Sequence, residues 1–159
     1  MNSSKSRVVK ILLDTTYLLP VVGIDVEGIE RPLTILKKLR EEGKIEVYYT
    51  PFSILEILGK LSKIDFDRER VEMGLKAIRE SFRVTHPTVK GYMKALELRR
   101  KGFRDLIDLL LYTTSRTRRL NFLTRDRDLI EFLKKVGEDV DNVVYEEELE
   151  KFVEKHVDA

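Results

Sequence analysis

Short apolar segments alternate along the chain with longer amphipathic segments. Val8–Leu13 is a nearly continuous apolar run that ends at Asp14, a pattern typical of a strand buried on both faces of a parallel sheet. Three later runs are rich in β-branched or aromatic residues, and each precedes a helical pattern: residues 45–49, 121–124 and 142–145. The pattern therefore predicts four to five strands that alternate with helices.

Apolar residues at helical spacing mark the helices between these strands. They are Ile29, Leu33, Leu36 and Leu39, then Ile54, Leu55, Leu58 and Leu61, then Val71, Leu75 and Ile78, then Val89, Tyr92, Met93 and Leu96. The spacing predicts one apolar face for each of the first two helices. Leu106–Tyr112 is apolar on almost every side and predicts a buried central helix, while Tyr145, Leu149, Phe152 and Val153 mark a last one. The alternation predicts an α/β fold, a three-layer α/β/α sandwich around a parallel sheet.

The length and composition of the chain limit the classes of protein that fit. A chain of 159 residues suits one domain, here residues 1–159, and the absence of cysteine excludes disulfides and cysteine-ligated zinc. The apolar stretches are too short to cross a bilayer and Met1–Lys10 has no signal-peptide pattern, so we expect a cytoplasmic protein. The charged fraction of 36% and the lack of glutamine are typical of a thermophile.

Charge is distributed unevenly although the net charge is only +2. Residues 83–119 contain ten Lys or Arg and three acids, whereas residues 131–159 contain four bases and ten acids. A basic face of this kind attracts polyanions, but most charge segregation is simply solvated surface. The distribution therefore favours nucleic-acid binding only modestly.

Four acidic residues stand near predicted strand ends or helix starts: Asp14, Glu56, Asp108 and Asp126. In parallel sheets, ligands bind at the carboxyl ends of the strands. Clustered carboxylates repel one another, and a hard divalent cation with oxygen ligands relieves that repulsion. The sequence therefore predicts a metal-dependent phosphodiesterase site.

Two of these acids also have a purely structural interpretation. Asp14 ends an apolar strand, where an N-cap for a short helix is expected. Glu56 falls in the second turn of a helix that Thr50 and Pro51 begin, where surface glutamates are common. The residues alone leave both interpretations open.

Capping patterns separate the remaining acids. Asp105 and Asp108 stand three residues apart at the start of the apolar central helix, so we expect Asp105 to cap it. Asp128 with Glu131 has capping-box spacing, so Asp128 is assigned to capping and Asp126 to the site. A nucleotide-binding P-loop is excluded, because Gly59-Lys60 lacks the required glycine five residues earlier.

The order of these residues resembles that of PIN-domain proteins. The matching elements are Asp14 with Thr16 after the first strand, the helical Glu56, Asp108 at the start of the central helix, and Thr124-Arg125-Asp126 eighteen residues beyond Asp108. The resemblance spans roughly Val8 to Tyr145 and implies the fold predicted above.

The resemblance implies an endoribonuclease that uses Mg²⁺ or Mn²⁺ to hydrolyse single-stranded or looped RNA. The catalytic acids would then be Asp14, Glu56, Asp108 and Asp126, with Asp14, Asp108 and Asp126 as metal ligands and Thr16, Thr124, Asp105 and Asp128 in support. Glu56 would act through a water or by organising the other ligands.

A basic run directly before Asp105 provides a candidate RNA-binding surface: Arg99, Arg100, Lys101 and Arg104. Tyr17 is a candidate for stacking on a base, with core packing as its alternative. Many members of the family are toxins of the VapC type, so a homodimer and an antitoxin protein are the expected partners. The competing hypothesis is a non-catalytic PIN-like module that binds RNA or protein.

Overall fold

The computed structural model describes residues 7–157, whose strands form a single parallel sheet. The strands are β1 (Val9–Leu13), β2 (Ile45–Tyr49), β3 (Arg83–Val84), β4 (Asn121–Thr124) and β5 (Val143–Tyr145). Their order in the sheet is β3-β2-β1-β4-β5, and every neighbouring pair is parallel. The predicted parallel sheet is confirmed. The two-residue β3 was not predicted, because both its residues are exposed and carry no apolar pattern.

Seven helices cover the two faces of this sheet in the described part of the chain. They are α1 (Glu30–Glu41), α2 (Pro51–Leu61), α3 (Arg68–Ser81), α4 (Val89–Arg100), α5 (Leu106–Thr117), α6 (Arg127–Lys135) and α7 (Leu149–Val157). One core cluster joins the sheet to α1, α2, α3 and α7, and a second joins it to α4, α5 and α6. The α/β/α sandwich is therefore confirmed. Within residues 7–157, no helix has both the length and the apolarity that a membrane span needs.

The alternation of side chains along three strands places polar residues on one face of the sheet. Leu12 in β1, Tyr48 in β2 and Phe122 in β4 contact the core beneath α4, α5 and α6. Successive side chains of a strand point to opposite faces, so residues two positions later return to that same face. Asp14, Thr50 and Thr124 stand at those positions, at the carboxyl edge of the sheet.

The apolar stripe of α4 lies on the protein surface. Its members Val89, Tyr92, Met93 and Leu96 are 79%, 45%, 54% and 51% exposed. The buried side of α4 is made of Gly91, Ala95 and Leu98 instead. A Cβ at Gly91 would lie only 3.4 Å from the hydroxyl of Thr117, so α4 approaches α5 through its small residues. The pattern located the helix, but its apolar spacing does not mark the core.

The single apolar face predicted for α2 is wrong. Ile57 and Leu61 are buried, whereas Leu55 and Leu58 are exposed. The helix packs on the sheet through Ser53, Ile57 and Leu61. Its remaining leucines therefore form a second apolar side that faces solvent.

Candidate active site

Asp14 both caps a short helix and faces a pocket. It follows β1 directly and precedes a 3-10 turn, Thr15–Tyr17. Its Oδ1 accepts a hydrogen bond from the backbone N–H of Thr16 at 3.3 Å, and its Oδ2 accepts one from the hydroxyl of Thr124 at 2.9 Å. The cap and the site interpretations of Asp14 are thus compatible in one side chain.

Asp105 caps α5, as predicted. Its Oδ1 accepts a hydrogen bond from the backbone N–H of Asp108 at 3.1 Å. Asp108 therefore lies in the first turn of α5, where the partial positive charge of the helix N-terminus favours a carboxylate. The cap fixes the position at which the Asp108 side chain leaves the helix.

The cap of α6 is Asp126, so the assignment of capping to Asp128 is wrong. The Oδ1 of Asp126 accepts a hydrogen bond from the backbone N–H of Leu129 at 3.2 Å. The helix begins at Arg127, two residues earlier than the Asp128–Glu131 spacing implied, and Asp128 is an exposed residue of its first turn. Because Thr124 accepts a hydrogen bond from the backbone N–H of Asp126 at 3.0 Å, the strand end determines where this helix starts.

The four predicted catalytic acids line one small pocket at the carboxyl edge of the sheet. This pocket of about 170 Å³ is formed by Asp14, Thr15, Thr16, Leu19, Glu56, Lys60, Asp105, Asp108, Arg125 and Asp126. It contains all the predicted site acids except Asp128, which lies outside it. Thr16 lines the pocket, but it reaches Asp14 through its backbone N–H rather than its hydroxyl. We name this the acidic pocket.

Burial and mutual repulsion raise the pKa values of the two innermost acids. Burial is the largest cause for Asp14 and raises its pKa to about 6, against the lowering effect of the hydrogen bond from Thr124. Burial also raises the pKa of Asp108 well above its usual range, and the charges of Asp14 and Asp105 raise it further. The positive charges in the lining, Lys60 and Arg125, therefore do not offset the cost of burying these two carboxylates.

A hard divalent cation fits the chemistry of this donor set. The pocket offers carboxylate and hydroxyl oxygens and no nitrogen or sulfur ligand, which suits Mg²⁺ or Mn²⁺ rather than softer metals. No three acidic or histidine side chains within residues 7–157 are arranged closely enough to hold a metal ion as they stand. The acids that line the pocket are therefore spaced more widely than the ligands of a bound cation, and they would have to move closer together to hold one.

Three further polar side chains lie in or near the predicted site. Arg125 and Lys60 line the acidic pocket, and Lys60 belongs to α2, one turn beyond Glu56. The hydroxyl of Thr50 is buried without a hydrogen-bond partner, on the same face of the sheet as Asp14. Sequence reasoning missed Arg125 and Lys60, although Arg125 stands between Thr124 and Asp126 and Lys60 stands four residues after Glu56.

Tyr17 belongs to the core. It is 1% exposed, and its hydroxyl donates a hydrogen bond to Oε1 of Glu146 at 2.9 Å. Burial raises the pKa of Tyr17 far above its usual range, so the hydroxyl stays protonated. The tyrosine is therefore inaccessible to an RNA base.

The predicted RNA-binding residues lie on the protein surface, in the segment that leads into Asp105. Arg99, Arg100, Lys101 and Arg104 are exposed, and none of them forms an ion pair within the described residues. The segment ends at Asp105, which lines the pocket. In contrast, Arg116 is engaged by Asp139 and Asp141 at the far end of α5.

Comparisons with known proteins identify the fold. The family model described as PIN domain matches residues 11–135. The structure is similar to VapBC2 from Rickettsia felis bound to a DNA fragment from their promoter, with a TM-score of 0.58, 16% identity, and coverage of 86% of this chain and 97% of that one. It is similar to a toxin–antitoxin complex from Klebsiella pneumoniae, with a TM-score of 0.56, 17% identity, and coverage of 86% and 97%.

A third similar structure is VapC20 from Mycobacterium tuberculosis, a sarcin–ricin loop cleaving toxin. Its TM-score is 0.55 at 20% identity, with coverage of 83% of this chain and 98% of that one. The sequence matches none of the curated proteins.

Proposed function

The chain belongs to the PIN domain family, and from that premise we propose that it is a divalent-metal-dependent endoribonuclease. The observation that carries the proposal is the acidic pocket, in which Asp14, Glu56, Asp108 and Asp126 converge from four separate segments. Two of these acids, Asp14 and Asp108, are buried, and burying a carboxylate near others of the same charge is unfavourable, which is typical of functional sites. The proposed substrate is single-stranded or looped RNA.

Asp14, Asp108 and Asp126 are the residues that would hold Mg²⁺ or Mn²⁺. When bound, the ion supplies Lewis-acid activation of the scissile phosphate and lowers the pKa of a bound water. Glu56 lies on α2 at the side of the pocket and orients water. In the reaction a water oxygen bonds to phosphorus, one bond from phosphorus to a ribose oxygen breaks, and that oxygen takes up a proton.

Backbone and hydroxyl groups fix these carboxylates before substrate arrives. Thr124 holds Asp14, the N–H of Thr16 holds the other oxygen of Asp14, and Asp105 fixes the first turn that carries Asp108. Fixed ligands lower the reorganisation that binding and reaction require. Arg99, Arg100, Lys101 and Arg104 provide positive charge for the RNA backbone beside this centre.

Cleavage of an end-labelled RNA with single-stranded and hairpin regions tests the proposal. The assay compares Mn²⁺, Mg²⁺ and EDTA for the wild type, Asp14→Asn and Asp108→Asn, with Asp128→Asn as the matched control outside the pocket. We expect metal-dependent cleavage that Asp14→Asn and Asp108→Asn abolish and Asp128→Asn preserves. If wild type and all variants cleave alike, the activity is a contaminant. If the wild type binds RNA and none cleaves, the non-catalytic module is correct.

We propose that the chain forms a homodimer through the exposed stripe of α4. In an antiparallel pairing of two copies, Val89 would face Leu96 and Tyr92 would face Met93. The same pairing brings Lys90 close to Glu97 of the second copy, so charge complementarity accompanies the apolar contact. The half-buried Phe52 of α2 extends the surface through its edge contact with Tyr92, at 6.3 Å between ring centroids.

An antitoxin protein is the second proposed partner. Two of the similar structures are complexes of the toxin–antitoxin type, and this supports a toxin role for the chain. Expression of the chain alone should then arrest growth of the host cell, and Asp108→Asn should not. Equal growth with both chains would contradict a toxin role while leaving the ribonuclease proposal to the cleavage assay.

A further inference from the structure

All three nitrogens of the Arg125 guanidinium group donate hydrogen bonds within the protein. Its Nε donates to Oε1 of Glu146 at 2.9 Å, and its Nη2 donates to Oε2 of Glu146 at 3.1 Å. Its Nη1 donates to the carbonyl of Glu27 at 2.7 Å, and its Nη2 also donates to the carbonyl of Gly28 at 3.1 Å. A two-pronged contact of this kind fixes the orientation of both side chains. These contacts hold the guanidinium group of Arg125 in a fixed orientation.

Glu146 connects this arginine to a second segment of the acidic pocket. The same Oε1 that accepts from Arg125 also accepts from the hydroxyl of the buried Tyr17. Tyr17 closes the 3-10 turn that starts at Asp14, whereas Arg125 lies between Thr124 and Asp126. One carboxylate therefore joins the segment that holds Asp14 to the segment that holds Asp126.

We propose that Glu146 is a positioning residue that sets the separation of Asp14 and Asp126 in the acidic pocket. This inference rests on the proposed function, because positioning has a purpose only if the pocket holds a cation. Glu146 lies beyond residues 11–135, the span that the family model matches. The side chains of Arg125 and Glu146 are only 27% and 16% exposed. Water therefore screens the attraction between them less than it screens an ion pair on the surface.

A second arginine in the same protein provides a control for stability alone. Arg116 donates to Asp141 at 2.6 Å, to Asn142 at 2.9 Å and to Asp139 at 3.3 Å. Arg116 lies at the far end of α5 and its partners lie in the turn before β5, and none of these residues lines the acidic pocket. Loss of this network should therefore cost stability without changing the arrangement of Asp14 and Asp126.

The test compares Glu146→Gln and Tyr17→Phe with Arg116→Lys in three measurements. The first measurement is Mn²⁺ affinity, from the electron paramagnetic resonance signal of free Mn²⁺. The second is the amide chemical shifts of Thr16, Asp126 and Leu129 in metal-free protein, and the third is thermal unfolding. We expect Glu146→Gln to weaken Mn²⁺ binding by about tenfold or more, the effect typical of residues that orient metal ligands. It should also shift the amides of both segments, and Tyr17→Phe should shift mainly Thr16. Arg116→Lys should lower the melting temperature but leave the Mn²⁺ affinity within about twofold.

The outcomes separate this inference from the proposed function. If Glu146→Gln lowers the melting temperature as Arg116→Lys does and leaves Mn²⁺ affinity and the three amide shifts unchanged, Glu146 is only a structural residue. If the wild type binds no Mn²⁺, the metal-dependent function is wrong, and the amide shifts decide the role of Glu146. Coupled shifts at Thr16 and Asp126 then support the positioning role, and unchanged shifts overturn it.

Discussion

The hydroxyl of Thr124 donates a hydrogen bond to Oδ2 of Asp14 at 2.9 Å and accepts one from the backbone N–H of Asp126 at 3.0 Å. Thr124 is fully buried, and its neighbours in this chain of bonds are the first and the last of the four predicted catalytic acids. A hydroxyl is the group this position needs, because it donates and accepts at once. The bond also opposes the rise in the pKa of Asp14 that burial causes.

Thr124→Val should therefore damage both stability and cleavage. The substitution keeps the shape of the side chain but leaves Oδ2 of Asp14 and the N–H of Asp126 without a partner. Each buried group left unpaired costs about 1–3 kcal/mol in the free energy of unfolding, and we expect cleavage to fall by about tenfold to a hundredfold. Urea unfolding and the RNA cleavage assay measure the two effects. Thr124→Ser, which keeps the hydroxyl, should behave like the wild type; equal losses in the two variants would contradict the role of the hydrogen bonds.

Most of the sheet was predictable because its central strands are buried on both faces. The apolar runs at 45–49 and 121–124 match β2 and β4 residue for residue. The burial of α4 was not predictable, because its packing side uses Gly91 and Ala95, which contribute little to an apolar pattern. A helix that approaches its neighbour through small residues leaves its large ones for the surface.

The positions of the candidate acids were only partly predictable from the strand pattern, and their network was not predictable at all. Asp14 and Asp126 come just after strands, where parallel sheets bind ligands, whereas Glu56 and Asp108 lie on helices and were selected by the family resemblance. Glu146 contacts Tyr17 across 129 residues of sequence and Arg125 across 21, and no local spacing signals such a pair.

The error in assigning the cap of α6 to Asp128 has a local cause. Two acids compete for one cap, and the hydrogen bond from Asp126 to Thr124 decides between them.

Asp108→Asn should stabilise the metal-free protein while abolishing cleavage. The carboxylate of Asp108 is buried beside Asp14 and Asp105, so ionisation is unfavourable in the fold, and an amide of the same shape removes that cost. At pH 8 in EDTA we expect a higher melting temperature for the variant than for the wild type. Asp105→Asn is the matched control in the same turn, and because Asn is also a good N-cap it should change stability little. A lower melting temperature for Asp108→Asn would show that the carboxylate is not a source of strain.

The stability of the metal-free protein should fall as the pH rises from about 4 to 8. The pKa of Asp14 is raised to about 6 in the fold from 3.8, so the folded state binds the proton more tightly than the unfolded state. Its stabilising effect is complete below about pH 4 and is lost as the pH rises through about 6, an effect on the order of 3 kcal/mol. Asp108, whose pKa is raised as well, extends this loss to higher pH. Unfolding curves at each pH for the wild type and for Asp14→Asn isolate the contribution, since the variant should show a shallower decline.

Mn²⁺ should restore the stability that is lost at high pH. A ligand that binds only the folded state stabilises it by about 2.7 kcal/mol when present at one hundred times its dissociation constant. For a domain of this size that corresponds to a rise of very roughly 5–10 °C in the melting temperature. Scanning calorimetry at pH 8 with Mn²⁺ or EDTA measures the effect. Sodium chloride at equal ionic strength separates coordination from charge screening, and no rise with Mn²⁺ would contradict a metal site in the acidic pocket.

Neutralising Arg99 and Arg100 should weaken RNA binding in a salt-dependent manner. Both residues are exposed and free of ion pairs within residues 7–157, so their charge is available to phosphates. The slope of log K against log salt is negative, and for a single strand each lost phosphate contact makes it shallower by about 0.7. The double variant Arg99→Gln with Arg100→Gln should therefore make it shallower by about 1.4. Fluorescence anisotropy in EDTA, where no cleavage occurs, measures the slope. The control is Lys134→Gln with Lys135→Gln on α6, and an equal loss in that variant would mean that binding is non-specific.

Met93→Glu should convert a dimer into a monomer if α4 forms the proposed interface. Met93 stands in the middle of the exposed stripe and is 54% exposed, so a carboxylate there costs the monomer little. In the antiparallel pairing, the new charge would lie against the ring of Tyr92 of the second copy and lose its hydration, which weakens association. Met73→Glu is the matched control, because Met73 is 69% exposed on α3 and lies outside the stripe. Light scattering after size exclusion should give a dimer mass for the wild type and for Met73→Glu, and a monomer mass for Met93→Glu. A dimer that survives Met93→Glu would place the interface on another face, whereas a monomeric wild type would leave the α4 stripe to a different protein partner.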